Sequence, residues 1–163
     1  MERILKSINA SPKKMKRLSC ISAISAVTLA LFFGLQLALH LLGGEYIDAA
    51  IVAVTAATGY VLVGVVRKIL NSPRPYELYS FFENTPKHKP GCSFPSRHAY
   101  SAFVIASLSW LVHPVIPASL LIIAAVICVT RVFLGLHFIR DVVAGALIGL
   151  LAGVTGILLV YFI

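Results

Sequence analysis

The chain has 163 residues, 59% of them hydrophobic and only 12% charged, with a mean hydropathy of +0.93. So apolar a composition excludes a water-soluble domain and fits one compact membrane unit. The formal net charge of +8 comes from 14 Lys and Arg against 6 Asp and Glu. With so few charges, their positions carry information on topology and chemistry.

Residues 1–18, "MERILKSINASPKKMKRL", are basic and precede an apolar run, as in a signal peptide. That run exceeds 20 residues and lacks an A-x-A cleavage site, so it reads as a retained span. The basic segment itself is expected to be either a frayed tail or a short interfacial helix with Ile4, Leu5 and Ile8 against lipid. Residues 19–163 then form a single membrane domain.

Measured against the ~20 apolar residues needed to cross a bilayer, five helices are predicted. The first covers about Ser19 to Leu42 and stops at the turn "GGE"; the second runs from Tyr46 to Leu70 and meets the breaker "NSPRP". Residues 71–96 form the one long polar loop. A third helix is expected over Ser96 to Val112, a fourth over Val115 to Arg131 and a fifth over Phe138 to Ile163. The fold class is therefore an all-α polytopic membrane helix bundle, with a polar loop carrying part of the site. Cys20, Cys92 and Cys128 have no C-x-x-C spacing and suggest neither a zinc site nor a disulfide framework.

Six basic residues precede the first helix, six lie between Arg67 and Arg97, and the last two are Arg131 and Arg140. With five spans all 14 fall on one face, while residues 43–45 and 113–117 contain no Lys or Arg. The positive-inside rule makes that face cytoplasmic and puts residue 163 outside. Some of these cations have simpler roles: Lys87, Lys89 and Arg140 also suit headgroup anchoring, and His88 reads as a solvated loop residue. His40 and His113 are expected at the opposite interface, with Trp110 and Tyr46 in an aromatic belt.

Three clusters converge on the basic face: Arg67, Lys68 and Arg74; Ser96, Arg97 and His98; Thr130, Arg131, His137 and Asp141. Too few carboxylates lie nearby to neutralise them, so the missing partner is an anion. Arginine forks match phosphate oxygens, and a helix start at Pro95-Ser96-Arg97-His98, with Ser96 as N-cap, adds backbone N–H donors. His137 and Asp141, four residues apart at a helix start, share a face. The carboxylate can then fix one imidazole nitrogen and leave the other as nucleophile, while His98 protonates the leaving oxygen.

These residues resemble the type 2 phosphatidic-acid phosphatase superfamily, whose signature is Lys-x6-Arg-Pro, then Pro-Ser-Gly-His, then Ser-Arg-x5-His-x3-Asp. The third motif here is "TRVFLGLHFIRD", with Thr130 for serine; the second is "PSRH", with Arg97 for glycine. In the first, "RKILNSPRP", Arg67 holds the lysine position relative to Arg74 and Lys68 is one residue out of register. The agreement covers about residues 60–163.

The resemblance implies a phosphohistidine on His137 that water hydrolyses without metal or other cofactor. Members usually have six spans, and many bacterial ones place the site on the outer face. Five spans and a basic N-terminal segment favour a cytoplasmic-facing site in a cell (inner) membrane. The expected partners are a phosphorylated lipid substrate and membrane lipids, with no nucleic acid. The expected activity is hydrolysis of a lipid phosphate or diphosphate of the phosphatidate, phosphatidylglycerol phosphate or prenyl type. A lipid phosphotransferase and a non-catalytic anionic-lipid-binding protein are the alternatives.

Overall fold

In a computed structural model of the protein, residues 2–85 and 90–163 are described. The expectations for Lys87, His88 and Lys89, and for the Ile4 side chain, lie outside the described residues. In chain order the helices are α1 (Glu2–Asn9), α2 (Pro12–Leu42), α3 (Tyr46–Leu70), α4 (Pro75–Leu78), α5 (Arg97–Leu108), α6 (Ile116–Phe133) and α7 (Ile139–Phe162). Two 3₁₀ turns, Ser80–Phe82 and Ser109–Leu111, follow α4 and α5. Among the described residues there is no strand.

Four helices, α2, α3, α6 and α7, are long and apolar enough to cross a membrane, and the protein is a multi-pass membrane helix bundle. The third predicted helix, expected over Ser96 to Val112, is α5, which has 12 residues, about 18 Å of helix. It is the buried centre of the bundle. Tyr100, Ala102, Val104, Ala106 and Leu108 are all buried, with Val52, Leu120, Ala124 and Ile127 from the surrounding helices in the same core. The lipid-facing sides of α2, α3 and α7 keep Leu31, Leu35, Val61, Ile69 and Leu151 exposed, as expected of helices solvated by hydrocarbon.

The first span begins at Pro12 rather than Ser19, so Lys13, Lys14, Lys16 and Arg17 belong to its opening turns. Proline suits that position because its missing N–H has no helical acceptor at N1. The short N-terminal helix is also turned differently from the expectation. Ile8 packs with Leu18 and Tyr76 against Met15, Leu134 and Leu136, so it faces protein rather than lipid. Asn9 fixes the arrangement by donating to the carbonyl of Phe133, while Asn84 donates to the carbonyl of Asn9.

At the opposite end of the bundle, the α2–α3 turn is closed by a hydrogen bond of 2.7 Å between His40 Nδ1 and Glu45 Oε2. His40 is 6% exposed, so it is a buried member of that turn and not an interfacial residue.

The contact that positions the site is the one between α5 and α7, the most extensive of the fold. Gly145, Gly149, Gly153 and Gly156 form a stripe along α7 that is buried against it. A Cβ on Gly145 would collide with the carbonyl oxygen of Ser96, and one on Gly149 with the carbonyl of Tyr100. Small residues spaced by four let two helix backbones approach closely inside a membrane.

Candidate active site

The loop before α5 and the start of α7 meet at one end of this glycine interface. Asp141, in the first turn of α7, is fully buried and reaches back to its own helix start, where Oδ2 accepts the Phe138 N–H at 2.9 Å. Its main-chain carbonyl accepts the Ser96 N–H, also at 2.9 Å. The α7 start is thus bonded directly to the α5 start. Ser96 is the N-cap of α5, its hydroxyl accepting the Ala99 N–H at 3.4 Å, and it is completely buried.

His137 sits in the short turn between α6 and α7, which Gly135 makes possible with a φ of +68°. There the Phe82 ring occupies the space a Cβ would need. His137 is 3% exposed, and its Nδ1 lies 3.7 Å from Asp141 Oδ2. Between them lies a residue that the sequence reading passed over. Ser93 donates its hydroxyl hydrogen to Asp141 Oδ2 at 2.5 Å, and its oxygen is 3.4 Å from His137 Nδ1. With Nδ1 turned to these groups, Nε2 is the nitrogen left for chemistry. Burial holds the His137 imidazole below the ordinary histidine range, against the opposing influence of Asp141. The neutral ring is therefore the favoured form at neutral pH.

His98, in the first turn of α5, is solvent-accessible, and the cationic side chains acting on it include Arg131, Arg97 and Arg67. Arg67 is buried in the last turn of α3 and donates to the Pro95 carbonyl at 2.9 Å, with Arg97, Arg74 and Asp141 as charged neighbours. Arg74 Nε donates to the Gly91 carbonyl at 3.0 Å, while Glu77 accepts both the Gly91 and the Arg74 N–H. Arg131, in the last turn of α6, acts electrostatically on His98 and feels Arg74; its Nε is buried with no hydrogen-bond partner among the described residues. Thr130 turns its hydroxyl back to the carbonyls of Val126 and Ile127 in its own helix.

The structure therefore brings together His98, His137, Asp141, Arg67, Arg74, Arg131 and Ser96. Two of the sequence-selected residues stand apart. Lys68 is exposed, one helical step of 100° round from the buried Arg67. Arg97 is exposed, with its guanidinium over the Tyr60 ring at 5.4 Å from the centroid. Ser93 is the residue missed. A serine in an irregular loop has no periodicity to mark it, and the only signal was its position between Gly91 and the helix start.

Three arginines within one site disfavour a cation and favour a multiply charged anion. Among the described residues the group with metal-donor atoms in reach of one another is His40, Glu45 and Asp48, at the opposite end of the bundle. Beside His137 opens a cavity of about 430 Å³ whose walls are largely apolar, among them Leu5, Tyr79, Phe82, Val132 and Phe138. The site thus joins a cationic cradle to a hydrocarbon-compatible space.

Comparison with known proteins agrees with this architecture. Aquifex aeolicus LpxE superposes with a TM-score of 0.70 at 24% identity, over 95% of this chain and 93% of that one. The first transmembrane PAP2-type phosphatidylglycerolphosphate phosphatase from Bacillus subtilis gives a TM-score of 0.67 at 20% identity, over 97% and 85%. At these identities the likeness is one of fold. The bacitracin transport permease protein BcrC of Bacillus licheniformis is 30% identical over 106 residues, 63% of this chain and 52% of that protein. The chain thus spans about half the length of that curated relative. Residues 48–162, which hold all three motifs, match the PAP2 superfamily, and the chain belongs to that family.

Proposed function

We propose that the protein is an integral membrane phosphatase that hydrolyses a lipid phosphate or diphosphate through a phosphohistidine on His137. The observation that carries this reading is the convergence of a buried, Asp141-paired histidine, a second histidine and three arginines at one end of the bundle. The phosphate sits among Arg67, Arg74 and Arg131 and against the backbone N–H groups opening α5. Lys68 and Arg97, both exposed, serve the headgroup region instead.

In the first step the Nε2 lone pair of His137 bonds to phosphorus as the bond to the leaving oxygen breaks, and His98, which takes up a proton once the phosphate anion offsets the surrounding arginines, gives that oxygen its proton. The positive charge that forms on the imidazole is balanced by Asp141. Water, losing a proton to His98, then attacks phosphorus; the P–N bond breaks and inorganic phosphate leaves. The arginines supply the charge stabilisation a divalent cation would otherwise provide, so turnover is independent of metal. The apolar cavity beside His137 takes the first carbons of the lipid chain, which favours a lipid ester over a soluble one. That a fold neighbour is a phosphatidylglycerolphosphate phosphatase supports the same substrate class.

The concentration of Lys and Arg on the site end supports a cytoplasmic-facing site. Phosphate release from dioctanoyl phosphatidate, phosphatidylglycerol phosphate, and prenyl phosphate and diphosphate tests the whole reading. Release is expected with chelator present, from inside-out but not sealed right-side-out vesicles, and is abolished by His137→Ala. Undiminished release in that variant rejects the nucleophile, and release from right-side-out vesicles alone rejects the orientation. Transfer of phosphate to added alcohol in preference to water would identify a phosphotransferase.

A further inference from the structure

The His137–Asp141 separation poses a problem. At 3.7 Å it is longer than a hydrogen bond, yet the carboxylate is fully buried and the imidazole needs its proton held on Nδ1. Ser93 lies against both groups. Its hydroxyl can give only one hydrogen, and that goes to Asp141 Oδ2. The same oxygen keeps lone pairs to accept from His137 Nδ1 at 3.4 Å.

The surroundings leave Ser93 little freedom. It is completely buried, and its main-chain N–H is bonded to the Ser72 carbonyl at 2.9 Å. Gly91 and Cys92 before it take positive φ values of 69° and 51°, so the chain turns sharply just ahead of it. Arg74 and Glu77 clamp that turn through Gly91. Asp141 Oδ2 is likewise fixed, because it also accepts the Phe138 N–H.

We propose that Ser93 is a positioning residue: its hydroxyl links Nδ1–H of His137 to the Asp141 carboxylate, and so fixes the tautomer that leaves Nε2 unprotonated and aimed at phosphorus. This rests on the reading of His137 as the nucleophile. No proton changes owner along the link. It orients the ring in the resting enzyme, and in the phosphorylated state passes the carboxylate's stabilisation to the imidazolium. The device is a histidine–carboxylate pair with a hydroxyl inserted between its members.

The test uses the full-length protein in detergent with dioctanoyl phosphatidate, comparing Ser93→Ala, Ser93→Cys and Ser93→Thr. Ser93→Ala is expected to lower kcat about 10²-fold, the scale of removing a histidine's orienting partner, with KM within about threefold. Threonine restores most of the loss because it keeps the hydroxyl; cysteine, a weak donor, does not. In an Asp141→Asn background, Ser93→Ala is expected to cost little more, since the link is already broken.

A second readout does not depend on turnover. In protein isotope-labelled at the histidine nitrogens, with His137 assigned by its loss in His137→Gln, NMR is expected to show a single Nδ1–H tautomer in the wild type. In Ser93→Ala the proton is shared with Nε2. A wild-type protein that releases no phosphate from any lipid would reject the catalytic reading, and the tautomer would still decide the role of Ser93. An unchanged tautomer in Ser93→Ala, or a wild-type His137 protonated on Nε2, overturns the proposal. A kcat within about threefold of wild type in an active, folded Ser93→Ala overturns it equally.

Discussion

Helix α7 has two working sides, built on opposite principles. Toward α5 it presents glycines, so close that two backbone carbonyls of α5 occupy the places where Cβ atoms would be. Toward α6 it presents Ile139 and Val142, which leave with Cys128, Val129, Val132 and Phe133 an apolar cavity of about 230 Å³. The two halves of the site, Ser93 to His98 and His137 to Asp141, meet across the tight side. The loose side carries no group of the proposed chemistry. Precision is concentrated where the proposed nucleophile, its carboxylate and the proposed phosphate cradle must keep their spacing, and room is left on the apolar side.

Filling the tight side should have the larger consequence. Gly145→Ala puts a methyl group against the Ser96 carbonyl and the Ala99 side chain, so the α5 start must move away from Asp141. We expect kcat to fall about 10²-fold, the usual cost of displacing reacting groups by about 1 Å, and stability to fall by about 1–3 kcal/mol. Thermal melting and phosphate release on the same preparation measure both. A kcat unchanged by Gly145→Ala would mean that close approach does not set the site.

On the loose side the effect is expected to be small. Val129 is 52% exposed and borders the cavity, so Val129→Ala removes little packed surface. Its cost in stability should stay below about 1 kcal/mol and kcat within about threefold of wild type. A loss comparable to that of Gly145→Ala would erase the distinction between the two sides.

Much of this arrangement is legible in the sequence, for physical reasons. Apolar run length and the breakers at residues 43–45, 71–75 and 113–115 place α3, α6 and α7 within a few residues of their observed limits. The beginning of α2 was not legible by that criterion, because Lys13, Lys14, Lys16 and Arg17 dilute an apolar window without disturbing a helix. The glycine stripe is written in "GALIGLLAGVTG", yet a hydropathy count treats glycine as merely neutral. Spacing brought His98, His137, Asp141, Arg74 and Arg131 together on paper. It put Arg67 in register with Arg74 and Lys68 one residue out, while both stayed candidates; the fold shows Arg67 buried and bonded to Pro95 and Lys68 exposed. Ser93 owes its place to backbone turns at Gly91 and Cys92 that no sequence pattern announces.

The central claim is that a phosphoryl group rests on His137 during turnover. Rapid quenching of the full-length protein mixed with dioctanoyl phosphatidate radiolabelled at phosphorus, followed by alkaline denaturation and peptide mapping, tests it directly. Label that is stable to alkali, lost in acid, confined to the peptide containing His137 and absent from His137→Ala is the expected result. Phosphate release without label on His137 at any time within the first turnover, together with full activity in His137→Ala, would contradict it.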